Sequence, residues 1–396
     1  MSIRYYKRQE TERLLLMKKK KVLFFIYQMG AGGAARTILN IVNHLDRKQF
    51  EPILVTLNYN GSYESYLHDD IKFIKLHTKR LRSAIIPLAK LIRKEKIDLV
   101  FSTIPNYNIV AILARLLSFS KAKNIVREAA FLGGTTRSNL KLRFVGWIYK
   151  FSSRVISLSK GVKENIIARY HVPEEKITVI YNPVDIGVIE KNIENGQIHD
   201  DHKHIFDGQS KVIITAGRLV NDKDHQTLIE AFANVQPKLN TKLVILGEGE
   251  LEAQLKKQVQ ALNIEDHVYF LGFMENPYVY FAHADLFVLS SLKEGFGHVL
   301  AEALATGVPI VSTACRPGAV EVLNDGEYGK LCEIGNANDM AEKMYDVLSL
   351  TNDERFAMIN KGLSRANQFA ASEIVKQYEE VFRQTLMMEK EIVARS

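Results

Sequence analysis

Two hydrophobic rhythms alternate along the chain. Short apolar runs rich in β-branched and aromatic residues, such as Lys21–Tyr27 (KVLFFIY), read as strands buried on both faces. Between them lie segments with apolar residues at helical spacing, as in Arg36–Leu45, where Ile38, Leu39, Ile41, Val42 and Leu45 share one face. The first half predicts further strands at Pro52–Leu57, Ile71–Leu76, Ile97–Ser102, Asn124–Arg127, Val155–Leu158 and Ile177–Tyr181. Its other helices fall at Lys79–Lys96, with a kink at Pro87, and at Asn108–Ser118. The stretch Glu190–Ser210 is polar, with few apolar residues, and marks a domain boundary. The same grammar then restarts, with strands at Val212–Ala216, Lys242–Leu246, Val268–Phe270, Leu286–Ser290 and Val308–Ser312. Helices Asp224–Val235, capped by Asp224, and Glu250–Leu262 lie between them. A last helix, Ser372–Met388, is far in sequence from its own domain's sheet and is expected to pack back across the boundary. Strands alternating with helices predict an α/β protein of two doubly wound parallel sheets. The domains are placed at 21–185 and 186–370, with a basic N-terminal extension at 1–20 and a C-terminal helix at 371–396.

Composition narrows the class. The 396 residues are 46% hydrophobic and 25% charged, ordinary for a globular protein with two or three cores. Cys315 and Cys332 are too few for a disulfide framework and fit a reducing cytosol. No apolar run approaches the ~18 residues of a membrane span, and the N-terminus lacks a signal peptide's apolar core. It reads as an exposed extension of a cytoplasmic protein. The net charge of +8 hides an asymmetry. Residues 1–185 hold 33 Lys and Arg against 14 Asp and Glu (net +19), while residues 186–396 hold 20 against 31 (net −11). The basic half is expected to face an anionic partner, either a nucleic acid or an anionic membrane surface. Within it, Arg137–Arg154 mixes Arg137, Lys141, Arg143, Lys150 and Arg154 with Phe144, Trp147, Tyr149 and Phe151. That mixture fits a membrane interface, and equally fits core aromatics beneath solvated cations.

Candidate chemistry sits at strand ends. Gln28–Ala35 is a glycine loop between a strand and a helix, where backbone N–H groups can approach an anion. Its Gly30-x-Gly32-x-x-Ala35 spacing matches a dinucleotide fingerprint, yet the second strand ends at Asn58 with no acid for a ribose. In the second half four loops converge outside the carboxyl ends of the strands, where ligands of open parallel sheets bind. They are Gly217-Arg218 with Lys223, Gly247-Glu248-Gly249, Leu271-Gly272-Phe273, and Glu294-Gly295-Phe296-Gly297. Two cations at a helix N-terminus make a phosphate or diphosphate site. Glu294 repels phosphate and calls for hydroxyls, which a sugar offers. Glu302, inside the next helix, is placed to accept from a ribose diol. A nucleotide diphospho-sugar satisfies all four loops.

GRLVNDKDHQTLIEAF and the Glu-x7-Glu of EGFGHVLAEALATGVPIVST resemble the retaining family-4 glycosyltransferases of the GT-B fold, and QMGAGGAARTILNIVNHLD is similar to that family's N-terminal glycine loop. The resemblance runs from Lys21 to about Ala370 and implies two Rossmann-like domains facing across a cleft. It implies that Arg218 and Lys223 bind the diphosphate, that Glu294 contacts donor-sugar hydroxyls and that Glu302 holds the ribose. Backbone at Phe296–His298 would complete the phosphate cradle, Gly32 and Gly33 would approach the diphosphate, and Phe273 would lie by the base. Many members place a His near the anomeric centre, where this chain reads Val126-Arg127-Glu128-Ala129; Glu128 or Arg127 is the candidate to replace it. Arg316 adds a cation beside the donor residues. The implied activity is retaining, metal-independent hexosyl transfer with no cofactor. The donor is a nucleotide sugar, UDP-linked by expectation, and the acceptor a lipid-linked saccharide or glycan of the bacterial cell envelope. The basic first domain would dock on the anionic inner leaflet, leaving the enzyme peripheral on the cytoplasmic face. Two rivals stand beside this: a UDP-sugar 2-epimerase of the same architecture, and a nucleic-acid-binding protein using the +19 half.

Overall fold

A computed structural model describes residues 18–393 except 31, 130 and 133, with side chains through residue 387. Most of the basic N-terminal extension, residues 1–17, lies outside the described residues. The chain forms two compact units, Met1–Pro183 with Ala371–Ser396, and Val184–Ala370.

The first unit is built on a seven-stranded parallel sheet. Its strands are β1 (Lys20–Phe25), β2 (Phe50–Thr56), β3 (Lys72–Lys75), β4 (Leu99–Thr103), β5 (Lys123–Glu128), β6 (Arg154–Ser157) and β7 (Ile177–Val179), in the order β3-β2-β1-β4-β5-β6-β7. β1 shows why its sequence is an unbroken apolar run. Val22 and Phe24 enter one core layer, Leu23 and Phe25 the other, so alternate residues serve opposite faces. The second unit has a six-stranded parallel sheet of β8 (Lys211–Ala216), β9 (Thr241–Leu246), β10 (Val268–Gly272), β11 (Leu286–Leu289), β12 (Ile310–Thr313) and β13 (Lys330–Cys332), ordered β10-β9-β8-β11-β12-β13. In each sheet the order reverses once, between β1 and β4 and between β8 and β11. Those reversals are the switch points where doubly wound sheets bind ligands.

Two expectations change. Lys79–Lys96 is not one kinked helix: a 3₁₀ turn spans Leu81–Ala84 and an α-helix Ile85–Lys94. Pro87 falls in that helix's first turn, where no backbone donor is needed. The polar stretch Glu190–Ser210, read as marking a boundary, lies within the second unit. Ile186–Glu194 is a helix of the second unit, Asn276 Nδ2 donates to Asn192 O at 2.7 Å, and Lys242 pairs with Asp207 at 3.1 Å. Polar side chains here bond to their own unit rather than to water alone.

The C-terminal helix, Ala371–Val393, belongs to the first unit. Tyr378 and Phe382 are fully buried, and the Phe382 ring meets Phe24, Phe50 and Phe101 at centroid distances of 6.2, 5.9 and 5.8 Å. The Asp46 amide donates to Glu379 Oε1 at 2.7 Å. Truncating a buried aromatic leaves a cavity and costs about 3–5 kcal/mol. Phe382→Ala should therefore lower the first unit's urea midpoint by that equivalent; an unchanged midpoint would remove the helix from this core.

Candidate functional site

In the second unit, β8 runs into Gly217 and Arg218, a 3₁₀ turn at Asn221–Lys223, and the helix His225–Val235. Asp224 caps this helix, accepting from the Thr227 hydroxyl at 2.7 Å. β11 runs through Ser290–Gly297 into the helix His298–Ala305. The two loops are latched across the switch point. Lys223 Nζ bonds to the Glu294 carboxylate, Ser291 Oγ donates to the same oxygen at 2.9 Å, and Ser290 Oγ donates to Lys223 O at 2.7 Å. Both members of the ion pair still reach solvent, with side chains 22% and 15% exposed. The pair is thus a local neutralisation that an incoming anion and a hydroxyl could jointly replace. Gly318 backs the loop: its amide donates to Glu294 O at 3.0 Å.

The remaining predicted residues separate into those that reach the surface and those that do not. Arg218 is exposed, and Phe273, directly after Gly272 at φ +71°, is 61% exposed. Glu302 is 5% exposed, its Oε1 lying 3.4 Å from the Tyr278 hydroxyl and 3.6 Å from His298 Nε2. Sequence reading missed Tyr278, whose only signal is a tyrosine opening a short helix before β11. The Phe296 ring is core, 5.2 Å from Phe369. Arg316 stands on the surface, 3.9 Å from Asp325. Gly217 and Gly247 do not lend their amides to phosphate, because these donate to Leu246 O at 2.9 Å and Gly272 O at 2.7 Å. Gly247 is required instead by a close crossing: its φ is +132°, and a Cβ there would meet Gly217 O at 2.0 Å. The adjacent anion-binding feature is the N-terminus of the helix His298–Ala305, which follows Gly295 and Gly297.

In the first unit, Gly32 caps the helix Gly33–His44 with extended backbone, and a Cβ on Gly32 or Gly33 would touch nothing within 4 Å. The protein's own packing does not demand glycine at either place. Sequence reading missed three half-buried tyrosines at this unit's switch point. Tyr27 follows β1, Tyr59 follows β2, and Tyr107 opens the helix Pro105–Leu117 after β4. The Tyr27 ring lies 4.5 Å from Tyr59 and 5.9 Å from Tyr107, and a hydrogen bond that engages the Tyr27 proton with Tyr59, together with desolvation, pushes the Tyr27 phenol up to about 12. Each lies two to four residues past a strand end, the one signal that could have found them. Among the described residues no group of three or more His, Cys, Asp or Glu converges where a metal could be held.

Glu128 and Arg127 require a correction. Neither has any exposure, so neither presents a group to a sugar at an anomeric centre. Glu128 receives Asn108 Nδ2 at 3.1 Å, the Tyr149 hydroxyl, and the Tyr170 hydroxyl at 3.4 Å. Arg127 donates to Tyr378 Oη at 3.1 Å, to Thr103 Oγ1 at 3.1 Å and to Asn182.

Against known proteins, the architecture is that of the GT-B glycosyltransferases. HepE from Anabaena, solved with UDP, matches with a TM-score of 0.77 at 22% identity, covering 92% of this chain and all of that one. The sequence narrows the class further. Residues 31–188 match the model described as Glycosyltransferase Family 4, and residues 197–365 the model described as Glycosyl transferases group 1. A Campylobacter jejuni N-acetylgalactosamine-N,N'-diacetylbacillosaminyl-diphospho-undecaprenol 4-alpha-N-acetylgalactosaminyltransferase is 31% identical over 370 residues, covering 89% of this chain and 96% of that protein. An Escherichia coli UDP-Gal:alpha-D-GlcNAc-diphosphoundecaprenol alpha-1,3-galactosyltransferase is 28% identical, covering 83% and 87%. The chain belongs to glycosyltransferase family 4.

Burial raises the Glu128 carboxyl to about 7, against an ordinary 4.5, with the bonds from Tyr149, Asn108 and Tyr170 pulling the other way. Folding therefore favours the neutral acid. Its stabilisation is complete below about pH 4.5 and is lost as pH climbs to about 7, by at most roughly 3 kcal/mol. Glu128→Gln keeps a neutral, hydrogen-bonding side chain. Its melting temperature should fall less than the wild type's between about pH 5 and pH 8. Parallel curves for the two proteins would refute a buried titrating Glu128.

Proposed function

We propose that this enzyme transfers a sugar from UDP to a lipid-linked saccharide, with retention at the anomeric carbon and without a metal, in the assembly of a bacterial envelope glycan. The observation that carries the donor half is the Lys223–Glu294 latch at the second unit's switch point, with exposed Arg218 beside it. A diphosphate arriving there takes Lys223 and Arg218, and frees Glu294 to accept from hydroxyls of the sugar. The cations then offset charge on the departing diphosphate as the anomeric carbon gains oxocarbenium character. Helix-terminal amides after Gly297 supply further fixed donors. Glu302, oriented by Tyr278 and His298, takes the ribose diol, and exposed Phe273 offers its ring to the base. Glycine at positions 32 and 33 is explained by close approach of a ligand, since packing gives no other reason.

The acceptor half rests on the relatives in Campylobacter jejuni and Escherichia coli, both named for substrates on diphospho-undecaprenol. A saccharide head group fits against the tyrosine cluster of Tyr27, Tyr59 and Tyr107, where ring faces pack on sugar C–H groups and phenols reach hydroxyls. Among the described residues no helix is long and apolar enough to cross a membrane. A lipid-linked acceptor is then met by peripheral attachment to the cytoplasmic face, and the net +19 of residues 1–185 supplies the attraction to anionic lipid.

Donor binding should raise the melting temperature with UDP and UDP-sugars more than with GDP and its sugars, because a ligand at about 100 times its Kd adds about 2.7 kcal/mol. No shift with any nucleotide would overturn the donor assignment. Glu294→Gln should cut turnover roughly 100-fold while UDP affinity stays within about threefold. Glu302→Gln should weaken UDP binding roughly tenfold. Gly33→Ala should fold with an unchanged melting temperature and lose substrate affinity; unimpaired transfer by this variant would remove the glycine loop from the site.

A further inference from the structure

We propose that the helices Pro105–Leu117 and Thr136–Tyr149 form a single docking face for the surface of an anionic lipid bilayer, a proposal that rests on the lipid-linked acceptor reading. The first helix turns Leu116 and Leu117 outward, and Phe119, just beyond its end, is 84% exposed. The second presents Leu140, Phe144 and Trp147, with Phe151 after it, each between 46 and 67% exposed. Single exposed apolar residues are ordinary on a soluble protein, but these gather on two neighbouring helices. Arg115 of the first helix donates to Phe151 O, so the helices run side by side. The Phe144 and Trp147 rings stack at 6.0 Å, and Phe151 meets Trp147 edge-on at 5.6 Å.

Phe119 adds a second line of argument. It holds φ +49° at a helix C-terminus, in the left-handed conformation that glycine usually supplies there. The same backbone conformation closes other helices of the chain, as at Lys96 and Asn263, but among the described residues only here does it carry a large apolar ring, which gains no burial in return.

Charge selects the occupant. Residues 113–154 contain nine Lys and Arg and a single acid, Glu128, which is buried. Exposed Lys121, Arg137, Lys141, Arg143 and Lys150 therefore lie among the apolar residues, and the exposed acids Glu174 and Glu175 come in only beside the Lys150 end, where Lys176 donates to Lys150 O at 2.8 Å. Apolar aromatics within a cationic border match the layered chemistry of an anionic leaflet, headgroup phosphates over acyl chains. A nucleic acid would want the cations at the centre, and a protein partner leaves the strong cationic excess unexplained.

The face is also rigid. Asn108 of the first helix and Tyr149 of the second both bond to Glu128, and Asn108 Nδ2 donates to Tyr149 Oη at 2.8 Å. Gly146 lets the second helix lie directly on the Tyr170 carbonyl, which an added Cβ would meet at 1.8 Å. The outward residues are thus held in place from within.

Trp147 is the chain's single tryptophan, so its fluorescence reads the face directly. With vesicles of phosphatidylcholine plus phosphatidylglycerol its emission should shift to the blue and the protein should float with the lipid, less so at high salt. Phe119→Ser with Phe144→Ser, or Lys141→Glu with Arg143→Glu, should lower partitioning roughly tenfold or more. All four positions are exposed, and an unchanged melting temperature verifies folding. The proposal is overturned by no shift with anionic vesicles, by an equal shift with phosphatidylcholine alone, or by folded variants that still bind. A blue shift produced by an oligonucleotide, or by self-association without lipid, overturns it equally. Vesicle binding is read without donor or acceptor, whereas the function is tested by transfer to a detergent-solubilised acceptor, so the two fail separately.

Discussion

A carboxyl group cut off from water must find its hydrogen bonds among neighbouring side chains, and much of the first unit follows from how Glu128 does so. Its donors come from the helix after β4, the helix after β5 and the segment that follows β6. Asn108 and Tyr149 share one carboxyl oxygen while Tyr170 serves the other, so losing Tyr170 would leave a buried acceptor unsatisfied, at a cost of order 1–3 kcal/mol. The preceding residue does the reverse job. Successive side chains of a strand point to opposite faces, so Arg127 leaves the other side of β5 and gathers Tyr378, Thr103 and Asn182. An acid and a base adjacent in sequence therefore do not pair with each other. Each secures a different layer, one including the C-terminal helix and the other the helices with exposed aromatic residues.

The second unit uses the same sheet grammar for a different end. Its charges collect at the carboxyl edge, where Lys223 and Glu294 stay near solvent and hold each other. Internal bonding makes Glu128 structural; partial exposure keeps Glu294 available. The contrast depends on burial rather than on residue type.

That contrast also explains how much could be read from the sequence. The parallel sheets were legible because a strand buried on both faces is an unbroken apolar run, as in Val22–Phe25. That Lys223 and Glu294 would share one edge was legible because both follow strands at the carboxyl end of the same parallel sheet. Glu128 was misread for the same reason: in one dimension it too is a charge at a strand end. Only the side chains arriving from Asn108, Tyr149 and Tyr170 reveal that it is enclosed. Gly247 was misread because a glycine demanded by two crossing loops looks identical to one that admits a phosphate, and Gly217 because its amide is already spent on Leu246 O. The polar stretch after Glu190 misled because its partners, such as Asn276, lie some 80 residues away. The tyrosine cluster was invisible because its members are far apart in the chain and meet only at the switch point.

Because the helices Pro105–Leu117 and Thr136–Tyr149 are fastened from inside, the residues on their outer faces carry no folding duty. Mutation can rewrite those positions at little cost to stability, so selection on them answers only to what the surface meets. In related chains the inner set of Asn, Glu and Tyr would change slowly and the outer set freely. The same scaffold could then change what its surface meets without refashioning its core.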